Sequence, residues 1–124
     1  RVDDGYGLSR AAVERMAADG VRILLTVDCG TTDVEAVGRA RELGVDVIVT
    51  DHHEPPERLP EPYAFLNAKL PGSSYPGREL CGVGVAFKLA GAFLQTMPAA
   101  VRRGPAFEEF LVASVSLAAT IKSA

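Results

Sequence analysis

The sequence predicts an α/β fold in three layers, a mostly parallel sheet with helices flanking it. Three observations carry this expectation. The short, largely apolar runs RILLTVD and VDVIVT have the pattern of strands buried on both faces. Between them, residues 29–44 repeat their apolar positions at helical spacing. The connections are short, so the unit reads as strand–helix–strand, a parallel pair joined by a right-handed crossover.

Taken in order, the chain opens on DDGYGLS. Residues 9–19 then place Val13, Met16 and Ala17 on one helical face, with Ser9 as N-cap and Gly20 as the stop. RILLTVD is the first strand. In CGTTDVEAVGRARELG, Thr32 and Glu35 have the spacing of a capping box, hydroxyl and carboxylate each taking an orphan backbone N–H. Val34, Val37 and Ala40 form the apolar stripe of that helix, and Gly44 closes it. VDVIVT is the second strand. EPPERLPEP is punctuated by proline and forms neither regular helix nor central strand. YAFLNAK reads as a third short strand, and LPGSSYPGREL as a turn-rich loop. GVGVAFKLAGAFLQTM is a helix whose small first residues suit close packing on the sheet. PAAVRRGP interrupts it, and AFEEFLVASVSLAATI is a last apolar, mostly helical segment.

Composition narrows the function classes. With 124 residues, 48% apolar and 23% charged, the chain is one globular domain or a piece of one. A net charge of −3 carries no global basic signature, so nucleic-acid binding would need a local patch or metal ions. No apolar run approaches the roughly 20 residues that span a bilayer, and no signal-peptide pattern opens the chain. No membrane association is therefore expected. Cys29 and Cys81 form no zinc-type cluster. A reducing cytoplasm fits them best, although they could in principle pair. The first residue is Arg1 and the last stretch is TIKSA, without a cap or tail, so residues 1–124 are expected to be an incomplete domain.

Parallel strands end at one edge, which brings Asp28, after the first strand, beside Asp51, after the second. His52 and His53 follow Asp51 directly and are the chain's 2 histidines. Open α/β sheets bind ligands beyond the carboxyl ends of their strands, so the histidines and aspartates share the usual ligand edge. Histidines after strands are often plain surface groups, but the converging Asp28 favours a site. Carboxylates with imidazole suit Mn²⁺ or Mg²⁺ better than a thiolate-loving metal. Cys29 has no paired base and reads as a small apolar residue at the strand end. Gly82 and Gly84 with Lys88 could cradle phosphate at a helix start, but they match no P-loop, and close helix packing is the default. Arg102 and Arg103 read as a solvated loop pair. Tyr63, Phe65, Phe87 and Phe93 fit a core better than a base-stacking platform.

VDCG, VIVTDHHEPP, NAKLPG and CGVGVAFKLA together resemble the catalytic domain of the RecJ exonucleases, a branch of the DHH phosphoesterase superfamily. DDGYGLS adds to the likeness, which runs closely over residues 3–90. The resemblance implies a DHH-type, Rossmann-like domain and 5′→3′ hydrolysis of single-stranded DNA in repair and recombination. It implies two ions of Mn²⁺ or Mg²⁺, with Asp28 and His52 as ligands and Asp51 in support. His53 would lie near the scissile phosphate or leaving group; Gly82, Gly84 and Lys88 are candidate substrate contacts. Single-stranded DNA is the implied partner, with a single-strand-binding protein a further one. The family's D-x-D motif is expected before Arg1, and a nucleic-acid-binding domain after the chain, so residues 1–124 alone are expected to hold metal weakly and to lack activity. Ser123 stands where the family pattern has an aspartate. The alternatives are a DHH phosphodiesterase acting on short oligoribonucleotides or cyclic dinucleotides, and a degenerate, non-catalytic domain.

Overall fold

The structure, a computed structural model, describes residues 7–99 together with 105 and 109. The element order is α1 (Arg10–Ala18), β1 (Ile23–Val27), α2 (Val34–Glu42), β2 (Asp46–Thr50), β3 (Ala64–Leu66) and α3 (Gly82–Gln95). The sheet has the order β1-β2-β3 and both pairs are parallel, Leu25 lying against Ile48 and Val49 against Phe65. The strand–helix–strand unit and the third strand thus form as the sequence predicts. Among the described residues no helix is long and apolar enough to cross a membrane.

Side-chain alternation along β2 separates the layers. Val47 and Val49 join Val13, Ala36, Val37, Ala40 and Val45 in a buried cluster under α1 and α2. On the opposite face, Leu25, Ile48 and Thr50 meet Ala86, Leu89, Ala90 and Phe93 of α3 around a cavity of about 360 Å³. The helices therefore flank the sheet, with the dense core on the α1/α2 side. α1 starts where expected, since Ser9 Oγ accepts the Ala12 N–H at 3.1 Å.

Three expectations are corrected. β1 is not buried on both faces: Ile23, Leu25 and Val27 stay exposed while Thr26 is buried. An apolar run reports hydrophobicity but not what covers it, and α3 overlies that face loosely. The Thr32–Glu35 capping box does not form. Asp33 takes the N-cap position of α2 instead, and its Oδ2 accepts the Leu8 N–H at 2.7 Å, tying the residues just before α1 to the start of α2. Tyr63 and Phe93 are exposed rather than core; Phe65 alone of the four packs against the main cluster. Cys29 and Cys81 are both free thiols. Arg102, Arg103, Ser123, most of the AFEEFLVASVSLAATI segment and the start of DDGYGLS lie outside the described residues.

Candidate metal centre

The carboxyl edge of the sheet is built so that the backbone ladder runs one residue past the strands. Asp28 N–H donates to Thr50 O at 3.0 Å, and Asp51 N–H to Leu66 O at 3.0 Å. Both aspartates are therefore set by the sheet itself, side by side as the topology requires. Threonine hydroxyls brace the same edge: Thr50 Oγ1 donates to Thr26 O at 2.6 Å, and Thr26 Oγ1 to Cys29 O at 2.8 Å.

After β1 the chain must turn sharply. Asp28 adopts φ +64°, a left-handed conformation that aspartate tolerates better than most residues but still at a cost. Gly30 follows at φ +112°, and a Cβ there would lie 2.8 Å from Thr26 Oγ1 and 2.9 Å from Val49 Cγ1. No other residue fits that position without displacing the core. The strained turn leaves the Asp28 side chain 56% exposed and directed at His52, with Oδ1 3.0 Å from Nε2.

Asp51 has the opposite environment. Its side chain is 2% exposed, and both oxygens are committed to the protein. Oδ1 accepts from His52 N at 2.7 Å, from His53 Nδ1 at 2.6 Å and, more weakly, from His53 N at 3.4 Å. Oδ2 accepts from Thr31 N at 2.9 Å. Burial acts to raise the pKa of this carboxyl, but hydrogen bonds from Thr31, His53 and His52 outweigh it and hold the value down to about 2. Asp51 is thus a permanent carboxylate that orients its neighbours. With Nδ1–H of His53 donating to it, Nε2 is the basic nitrogen of that ring.

One donor atom each from Asp28, His52 and His53 lies within 4.8 Å of the others. A carboxylate oxygen among imidazole nitrogens fits a divalent ion of hard-to-borderline character, such as Mn²⁺, and the carboxylate also suits Mg²⁺. The residues present therefore fit the metal, with His53 joining Asp28 and His52 in the donor group. Asp51 stands behind that group as a second layer of support.

The remaining site expectations fall nearby. Gly82 is the buried first residue of α3 and touches the Asp28 side chain, which places that carboxylate at the positive end of the helix. Gly84 is half-buried against Leu80. Lys88 is exposed and lines a cavity of about 250 Å³ with Asn67, Ser73, Tyr75 and Val85. Cys29 is a protonated thiol: burial pushes its pKa up, and Asp33, Asp51 and Asp28 add to the effect.

Sequence reasoning missed Thr31 and Asn67. Asn67 is buried, and its Nδ2 donates to Thr31 Oγ1 at 3.0 Å and to His53 O at 2.8 Å. Its Oδ1 accepts from Lys69 N at 2.9 Å. The one available signal was a polar residue directly after the third apolar strand, at the same edge as Asp28 and Asp51.

Residues 5–113 match the DHH family, N-terminal domain. The chain is 47% identical over 98 residues to the single-stranded-DNA-specific exonuclease RecJ of Bacillus subtilis (strain 168), covering 79% of this chain and 12% of that protein. Against the protein of the same name from Escherichia coli (strain K12) it is 46% identical over 89 residues, 72% of this chain and 15% of that one. Against that of Thermus thermophilus the identity is 38% over 93 residues, 74% of this chain and 13% of that one. A crystal structure of exonuclease RecJ bound to manganese superposes with a TM-score of 0.66 and 33% identity, covering 79% of this chain and 25% of that one. The chain thus spans 12% to 15% of the length of these curated relatives.

Proposed function

Because the chain belongs to the DHH family, we propose that it carries part of the catalytic centre of a metal-dependent exonuclease that degrades single-stranded DNA from the 5′ end. The observation that carries this reading is the meeting of Asp28 Oδ1 and His52 Nε2 at 3.0 Å on the ligand edge of the sheet, with His53 held beside them by Asp51. The relatives' common description as single-stranded-DNA-specific exonucleases supports DNA as substrate over short oligoribonucleotides or cyclic dinucleotides. The clustered, braced donors support a working site over a degenerate one, since polar groups gathered this way are costly without a ligand.

In this reading Asp28 and His52 hold Mn²⁺ or Mg²⁺, two ions in the full site. The bound metal supplies Lewis-acid polarisation of the phosphate and a water of lowered pKa. Asp51 keeps the proton on His53 Nδ1, which directs Nε2 of His53 toward the metal or the leaving oxygen. Gly82, Gly84 and Lys88, at the start and along α3, are the substrate contacts in this reading. The setting is cytoplasmic DNA repair and recombination, with a single-strand-binding protein as a further partner.

The test is nucleotide release from 5′-labelled single-stranded DNA with Mn²⁺, using the full-length reading frame that encodes this chain. Asp28→Ala and His52→Ala each abolish release while the fold persists. Near-normal rates in either variant remove that residue from the ligand set. Resistance of long single strands alongside cleavage of dinucleotides would move the substrate to the oligoribonucleotide class.

A further inference from the structure

We propose that Gly82 is a positioning residue for Asp28: the missing side chain at the first residue of α3 is what admits the Asp28 carboxylate to its place opposite His52. A Cβ built on Gly82 would lie 2.5 Å from Asp28 Cγ and 2.7 Å from Asp28 Cβ, and nearer still to Oδ1. Separations under 3.0 Å are essentially never seen for real Cβ atoms. Something must move, and neither partner moves easily.

Asp28 is held on three sides. Its backbone sits at φ +64°, its N–H is bound to Thr50 O at 3.0 Å, and Oδ1 is 3.0 Å from His52 Nε2. α3 is a 14-residue helix anchored by buried Val85 one turn later. The carboxylate is the lightest part to displace, and displacing it opens the Asp28–His52 pair.

Other glycines of the helix differ. A Cβ at Gly84 would meet Leu80 Cδ2 at 3.1 Å, the end of a flexible side chain, and Gly91 has nothing within 4 Å. Alanine generally favours helix over glycine by about 1 kcal/mol. Gly82 is thus the glycine of α3 whose replacement strikes the metal centre, whereas Gly91→Ala serves as an internal control.

The role of Gly82 in metal affinity rests on Asp28 being a metal donor; its role in placing Asp28 does not. A double-substitution cycle separates the two. Gly82→Ala lowers the urea midpoint in the unsubstituted chain but not in an Asp28→Gly background, where the obstructing side chain is gone. Gly91→Ala lowers it in neither. By calorimetry with Mn²⁺ alone, Gly82→Ala weakens binding on the order of tenfold or more, as losses of ligand support do, and Gly91→Ala leaves it unchanged. If Gly82→Ala does not fold, recovery of folding in Asp28→Gly/Gly82→Ala supports the proposal and failure of both overturns it. Equal effects of Gly82→Ala in the two backgrounds, or unaltered Mn²⁺ affinity in a chain that binds it, also overturn it. Absence of Mn²⁺ binding by the unsubstituted chain would instead sink the metal reading, and the urea cycle would still decide the role of Gly82.

Discussion

Replacing Asp51 with asparagine keeps the shape of the side chain but removes its charge and turns one oxygen into an NH₂ group. Oδ1 now accepts from His52 N and His53 Nδ1, and Oδ2 from Thr31 N. An amide oxygen can fill one of these places only, so the NH₂ must face N–H groups that donate in the native protein. With the oxygen kept toward His53, the buried Thr31 N–H loses its acceptor. A buried donor left unpaired costs about 1–3 kcal/mol, and the lost charge assistance on the other bonds adds to it. Titration gives an independent handle. The folded carboxyl sits at about 2 against an ordinary 3.8, a difference worth about 2 kcal/mol. Because the folded value is the lower one, this stabilisation is fully present above 3.8 and is lost as pH falls through about 2. Asp51→Asn should therefore lower the unfolding free energy by about 2–4 kcal/mol at neutral pH, and the gap should narrow in strong acid. Urea titrations at neutral pH and close to the folded pKa measure both quantities. A neutral-pH loss below about 0.5 kcal/mol, the size of an ordinary surface change, or a gap that does not shrink in acid, would refute the assignment of Asp51 as the charged brace of the site.

Asn67→Leu should cost about 1–3 kcal/mol in urea unfolding, since it strips partners from Thr31 Oγ1, His53 O and Lys69 N together. Val37→Ala, at a position 1% exposed between α2 and the sheet, should lower stability by about 2 kcal/mol through lost burial and a residual cavity, read by thermal unfolding. Mn²⁺ should raise the melting temperature of the chain, a chelator should reverse the rise, and His52→Ala should abolish it. By contrast, Glu54→Gln should leave the urea midpoint nearly unchanged, because the carboxylate of its 2.8 Å pair with Lys69 is exposed to solvent.

The fold was legible where local chemistry and tertiary role coincide. Ser9 is both a good cap and the observed one, and the two apolar runs flanking a capped stripe admit little but a parallel pair. From that pair the placing of Asp28 and Asp51 on neighbouring strand ends follows by geometry. What escaped the sequence depends on partners distant along the chain. Thr32 and Glu35 have the capping-box spacing, yet Asp33 is drawn to the helix start by Leu8, 25 residues away. The exposed row of β1 reads as core because hydrophobicity does not say which face is covered. Asn67 looks like an ordinary loop residue until β3 docks beside β2 and delivers it beneath His53. Gly82 and Gly84 look equivalent in CGVGVAFKLA, and only the approach of Asp28 tells them apart.

The ladder bonds that run one residue past each strand have a kinetic consequence. Asp28 and Asp51 donate their amide hydrogens to Thr50 and Leu66 in continuation of the sheet, so neither amide can exchange with solvent deuterium until the strands part. Their exchange should then follow the opening of β1 from β2 and of β2 from β3, rather than the breathing of the adjoining loops. The donor group would persist as long as the sheet does, already assembled when a cation arrives, and the time a cation needs to find it would contain no folding step.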